Sequence, residues 1–236
     1  MAQDAGAGPG LLFLHALPLT GGMWSRQLDI FPHPAYAPTL YGHGDRMRDW
    51  ATAALSLVKE ERIVVIGCSV GGSCALEVAS LAPARVAALV LIGTNARHRP
   101  NPDLHARALR LLADEGVESA WDTFWHPLFA DGNDLARAEG RRLAAGLRAE
   151  EIARGVTVFH TRPDLEHVLA EFAGPVVFVS GDADVAPGPQ SSARQAGLAR
   201  DGSLHVIPDC GHYVPLERPD VVNSIVRDVV QRIAWQ

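Results

Sequence analysis

The chain has 236 residues, of which 47% are hydrophobic and 20% charged, and its net charge is −6. This composition suits one globular core and excludes a disordered or fibrous chain, and without a Lys/Arg run it also excludes a nucleic-acid footprint. Three cysteines, Cys68, Cys74 and Cys210, are odd in number and wrongly spaced for a disulfide framework or paired metal ligands, which favours a reducing compartment.

The first apolar run covers residues 11–14 (L-L-F-L). No basic residue precedes it and Asp4 has the wrong sign, so it does not read as a secretory leader. No apolar stretch approaches the roughly 20 residues that span a bilayer. The expectation is a cytoplasmic protein with no membrane association. Residues 36–40 are a weak strand candidate, weakened by Pro38, which has no N–H for a ladder. Residues 63–66 and 86–92 are further β-branched or Leu-rich runs, and the helical pattern of residues 72–81 lies between them. Their apolar residues are continuous rather than alternating, as in strands buried on both faces.

From residue 95 to residue 173 no strand pattern occurs. Helical patterns follow one another instead, over residues 103–115, 117–129, 134–147 and 150–160. Strands resume at residues 176–179 and, more weakly, 203–207, with helices predicted over 189–198 and 218–233. The fold class is therefore α/β: a mostly parallel sheet flanked by helices, carrying an inserted helical cap. The core comprises residues 1–94 and 174–236 and the cap residues 95–173. Trp125 belongs to an aromatic stripe in the cap with Trp121, Phe124 and Phe129. Two readings of that stripe stand: packing of cap on core, or a substrate-binding wall facing the sheet edge.

The stretch V-V-I-G-C-S-V-G-G, residues 64–72, sets Cys68 beside Ser69. Gly67 and Gly71 lie two before and two after Ser69, whereas Ile66 and Val70 hold those offsets around Cys68. A strand that turns abruptly into a helix crowds the positions flanking its apex, so the glycines single out Ser69. An exposed serine in a tight turn would share the pentapeptide, but not the strand before it and the helix after it. A serine hydroxyl needs a base and the base an orienting acid. Asp182 and Asp184 follow the strand at 176–179, and His212 follows the strand at 203–207. Sites in open parallel sheets collect at the carboxyl ends of strands, so three loops bring Ser, Asp and His to one edge.

Five pieces in order resemble the α/β-hydrolase family. They are H-A-L-P-L with Trp24 in residues 15–24, Y-G-H-G-D at 41–45, G-C-S-V-G-G at 67–72, G-D-A-D at 181–184 and G-H-Y-V-P-L-E-R-P at 211–219. The likeness is to the branch of small carboxylesterases and 3-oxoadipate enol-lactonases. It implies Ser69 as nucleophile, His212 as general base and Asp184, rather than Asp182, as orienting acid. It implies backbone N–H groups of Leu17 and Val70 as an oxyanion hole. Ala16 departs from the family pattern, where glycine is common, and the family's N-terminal antiparallel strands are missing. The implied activity is a serine hydrolase cleaving a small carboxylic ester or lactone through an acyl-enzyme on Ser69, with no cofactor and no metal. A carbon–carbon hydrolase, a cofactor-free haloperoxidase, a hydroxynitrile lyase and a non-catalytic ligand sensor share the pattern. The expected partner is a small-molecule ester or lactone; nothing in the sequence indicates an oligomeric state.

Overall fold

Strands apolar on both faces are satisfied only between two layers of helices. The computed structural model describes residues 8–234. Its strands are β1 (Gly10–Leu14), β2 (Ala35–Tyr36), β3 (Ile63–Cys68), β4 (Val86–Ile92), β5 (Val176–Gly181) and β6 (Gly202–Ile207). They form one sheet in the order β2-β1-β3-β4-β5-β6, every neighbouring pair parallel. Every residue of β1, β3 and β5 is buried, whereas β6, at the sheet edge, is half solvated. The flanking helices are α1 (Ser25–Leu28), α2 (Met47–Leu57), α3 (Val70–Leu81), α9 (Gly188–Ala196), α10 (Val214–Glu217) and α11 (Pro219–Ala234). Between β4 and β5 run α4 (Pro102–Asp114), α5 (Gly116–Ala120), α6 (Asp134–Ala145), α7 (Ala149–Thr161) and α8 (Glu166–Glu171).

Three local differences from the sequence expectation have physical causes. The strand predicted over residues 36–40 shrinks to Ala35–Tyr36, because Pro38 offers no donor to extend the ladder. Helix α2 buries Met47, Trp50, Ala51 and Ala54 at helical spacing, but two of the four are alanines, so its apolar stripe is faint in sequence. The helix predicted over residues 117–129 breaks into α5, a π-turn over Trp121–Trp125 and a 3₁₀ turn over His126–Leu128. Pro127 cannot continue an α-helix, since it lacks an N–H and clashes with the preceding turn.

The excursion between β4 and β5 leaves and rejoins the core at neighbouring points. Leu165 N–H donates to Ala96 O at 3.0 Å, and α8 then packs on α3. Among the described residues no helix is long and apolar enough to cross a membrane. Asp4, which bears on the reading of the leader, lies outside the described residues.

The sheet order places the site. The chain winds outward from β1 to β2, then returns to the other side of β1 for β3. Their register, Leu14 opposite Gly67, ends β1 and β3 flush, so the loop after Leu14 and the turn at Ser69 meet at this switch point.

Candidate active site

Ser69 caps β3 and opens α3 in a conformation that side chains rarely adopt, φ 56° and ψ −117°. Such backbone costs on the order of 1–3 kcal/mol and persists only where its surroundings hold it. Here Ser69 N–H donates to Ile92 O at 2.8 Å, and Ser69 O accepts from Gly72 N–H at 3.0 Å. A Cβ on Gly67 would run into the Gly71 carbonyl, and one on Gly71 into the carbonyl of Leu14. Both absent side chains allow α3 to start against β1 and β3. Ser69 is half-buried; Cys68 beside it is fully buried, and burial pushes its thiol well above the ordinary range.

His212 lies in the loop after β6 and Asp184 in the loop after β5, both buried. His212 Nδ1 lies 3.1 Å and 3.2 Å from the two carboxylate oxygens of Asp184. Asp182 is exposed and instead accepts from Cys210 N–H at 3.2 Å. Burial opposes ionisation of Asp184. The hydrogen bond and charge of His212, with the N–H groups of Ala186 and Gly188, outweigh it and hold the carboxyl below its usual range. The ionised Asp184 therefore fixes the imidazole with its proton on Nδ1, leaving Nε2 as an acceptor. Ser69 Oγ makes no hydrogen bond to a protein group among the described residues, but Ser69 and His212 line one cavity of about 220 Å³.

The N–H groups of Leu17 and Val70 have no protein acceptor among the described residues. Val70 begins α3, where N–H groups are free and the helix dipole favours negative charge. Leu17 lies in the loop after β1, and its carbonyl accepts from the Tyr213 hydroxyl at 2.8 Å, which ties the loop to the neighbour of His212. Ala16 sits in this loop without a positive φ, so the departure from glycine carries no strain.

His15 is the loop's fixed point. Leu40 N–H donates to its Nε2 at 2.9 Å, so Nδ1 carries the proton, 3.1 Å from Ala16 O. Burial lowers its pKa to about 4 from 6.5. The unfolded chain therefore binds a proton below pH 6.5 that the folded chain refuses, and stability falls as pH drops from 6.5 to 4. The difference is worth on the order of 3 kcal/mol. Urea melts across that range should show the slope, and His15→Asn should flatten it while lowering stability at pH 7.

The remaining cavity wall comes from the excursion between β4 and β5. Leu104 and Ala108 of α4, Phe124, Trp125 and Leu128 of the turn region, and Val156 and Phe159 of α7 line it. Trp125 lines the cavity and is also 7% exposed, so it packs against the core and walls the pocket at once. Trp121 does not reach the cavity and packs on Phe129.

A parallel sheet with a strained serine elbow and a His–Asp pair on its carboxyl edge matches a known architecture. Residues 11–225 match the model of the alpha/beta hydrolase family. The chain belongs to that family. A pimeloyl-[acyl-carrier protein] methyl ester esterase of Aromatoleum aromaticum is 28% identical, covering 94% of this hydrolase and 98% of its own length. An esterase from Thermogutta terrifontis, solved with malate bound, superposes with a TM-score of 0.88 at 24% identity, covering 97% of this chain and 92% of its own. The enol-lactonase of Burkholderia xenovorans gives 0.83 at 20%, covering 97% and 94%.

The hydrolase site also depends on two residues, Gly93 and Glu217, to which the sequence alone assigns no role. Gly93, just after β4, has φ 54°, and a Cβ there would lie 2.8 Å from His212 Nδ1. Gly93→Ala should lower the melting temperature and cut any turnover about a hundredfold by displacing the imidazole. Steady-state kinetics and a thermal melt test both. Glu217 is buried, and its Oε2 accepts from Gly211 N–H at 3.0 Å, Ala130 N–H at 3.1 Å and Asn133 Nδ2 at 2.6 Å. It thereby fastens the His212 loop to the helical excursion. Its sequence signal was its place six residues beyond Gly211 in the last quoted stretch.

Proposed function

We propose that this hydrolase cleaves a small carboxylic ester or lactone through an acyl-enzyme on Ser69. One observation carries the reading: Ser69, on its strained elbow, shares a cavity with an imidazole whose other nitrogen is held by a buried carboxylate. Names of relatives add support, since the Aromatoleum protein is called a methyl ester esterase.

Substrate fills the cavity and draws Ser69 Oγ and His212 Nε2 into hydrogen-bond contact, as such sites tighten on binding. Ser69 Oγ then attacks the acyl carbon while His212 takes the hydroxyl proton. Negative charge grows on the carbonyl oxygen, and the N–H groups of Leu17 and Val70 receive it. One such donor is worth about 10²–10³ in turnover. Collapse breaks the acyl–oxygen bond, and the alcohol leaves with the proton from His212. Water, deprotonated by His212, repeats the attack on the acyl-enzyme and releases the acid. A cavity of about 220 Å³ is below the roughly 300–1,000 Å³ of drug-sized sites, which suits a small acyl group.

Turnover of p-nitrophenyl acetate together with labelling by a fluorophosphonate, mapped to Ser69 by peptide mass, tests the proposal. One label per chain with parallel loss of turnover is expected. Labelling elsewhere, or turnover that survives full labelling of Ser69, overturns it. Tight ligand binding with no turnover would make the protein a sensor instead.

A further inference from the structure

The cavity that holds Ser69 is mostly apolar, with polar atoms on five side chains, Ser69, Trp125, His160, His212 and Tyr213. Ser69 and His212 are assigned to chemistry, and the Tyr213 hydroxyl is committed to Leu17 O. Besides the single indole N–H of Trp125, that leaves His160, at the end of α7, on the wall built by the helical excursion. Neither ring nitrogen of His160 has a hydrogen-bond partner in the protein among the described residues. The ring is held on two sides, stacked on His105 at 4.9 Å and 13°, and edge-on to Phe159 at 5.2 Å and 83°. His105 is itself anchored, its Nε2 lying 3.4 Å from Thr157 Oγ1. A polar ring held in place at an apolar cavity, with no partner of its own, is built to meet a polar group on a ligand.

The charge behind the ring says which group. Arg162, two residues on, is 8% exposed, and its guanidinium carbon stands 4.0 Å from the centre of the Phe159 ring. Its Nη1 donates to Phe159 O at 2.5 Å, its Nε is buried without a partner, and no carboxylate lies within ion-pair distance of it among the described residues. Burial lowers Arg162 to about 10, so it is still a cation at neutral pH. His98 faces the same cluster, and Asp164 is the one acid felt there. Burial and these basic neighbours lower His160 to about 4, which leaves it a neutral N–H donor in a positive field.

We infer that the cavity selects an acyl group ending in a carboxylate, and that His160 donates a hydrogen bond to that carboxylate, with the Arg162 cation behind the cavity wall. The substrate class is then the half-ester of a short dicarboxylic acid, which rests on the ester-hydrolase reading above. No other bond is made or broken, and the distal carboxylate only orients the acyl chain towards Ser69.

The test separates binding from turnover. In Ser69→Ala protein, calorimetry compares monomethyl glutarate with methyl pentanoate, an ester of the same acyl length without the acid. The half-ester should bind at least about tenfold tighter, the scale of one hydrogen bond to a charged group. Adding His160→Phe, which keeps a flat ring on His105, should erase that advantage. In Ser69 protein the ratio of kcat/KM for the two esters should fall by a similar factor on the same substitution. Equal binding of the two esters overturns the inference, and so does an advantage that survives His160→Phe. Should His160→Phe fail to fold, the two-ester comparison in His160 protein decides alone. Absent turnover of every ester, with the binding preference intact, would strike the hydrolytic reading and leave the ligand class standing.

Discussion

Ser69→Ala is expected to lower kcat/KM for p-nitrophenyl acetate by on the order of 10⁴–10⁶, with the fold intact, because the attack has no other nucleophile to use. Cys68 cannot substitute. It is fully buried, burial pushes its thiol far from ionisation, and its Sγ sits 3.9 Å from the His212 carbonyl rather than in the cavity. Stability should change little. Serine and alanine both carry a Cβ, so the strain at φ 56° is nearly the same for either. The backbone bonds to Ile92 and Gly72 do not involve the side chain. On the proposed mechanism, residual turnover should come from the N–H groups of Leu17 and Val70, which would still favour an attacking water. Circular dichroism and a thermal melt establish the fold, and initial rates establish the loss. A fall of less than tenfold in a folded variant would remove Ser69 from the reaction.

Asp184→Asn should cost about 10³–10⁴ in kcat with KM little changed, through a tautomer rather than through geometry. Ala186 N–H donates to Asp184 Oδ1 at 2.8 Å, so an asparagine would keep its carbonyl oxygen there. Its NH₂ would then replace Oδ2, 3.2 Å from His212 Nδ1, while the retained oxygen stands 3.1 Å from the same nitrogen, so Nδ1 would meet a donor and an acceptor where the carboxylate offers two acceptors. Where the amide donor meets Nδ1, that nitrogen becomes the acceptor and the imidazole proton moves to Nε2, the nitrogen away from Asp184. A base that already holds a proton there cannot take one from Ser69. The variant also loses the charge that stabilises the imidazolium. Its pH profile provides the check, since activity should recover in part at alkaline pH where a free base can act. An unchanged kcat at pH 7 would show that Asp184 does not orient His212.

The hydrolase core is strongly written in the chain because its signals are local. Apolar runs at residues 63–66, 86–92 and 176–179 are short, continuous and bounded by turn residues, and each is a buried strand. The glycines around Ser69 act within one turn of backbone, so sequence spacing alone could single out that serine. Elements whose signal is spread thinly were hidden. Helix α2 buries two alanines where larger residues would have shown the stripe, and Pro127 diverted a helical pattern into π and 3₁₀ turns.

What the sequence determined unaided was the fold class, the family and the order in which serine, acid and histidine arrive, since each depends on neighbours a few positions apart. The tertiary structure decided that Asp184 rather than Asp182 reaches His212, that Gly93 leaves room for the imidazole, and that Glu217 joins its loop to the helical excursion. It also set His160 on the wall of the cavity beside Ser69, 91 positions earlier in the chain. Those contacts join segments far apart along the chain, and only sheet order and helix packing bring such segments within a few ångströms.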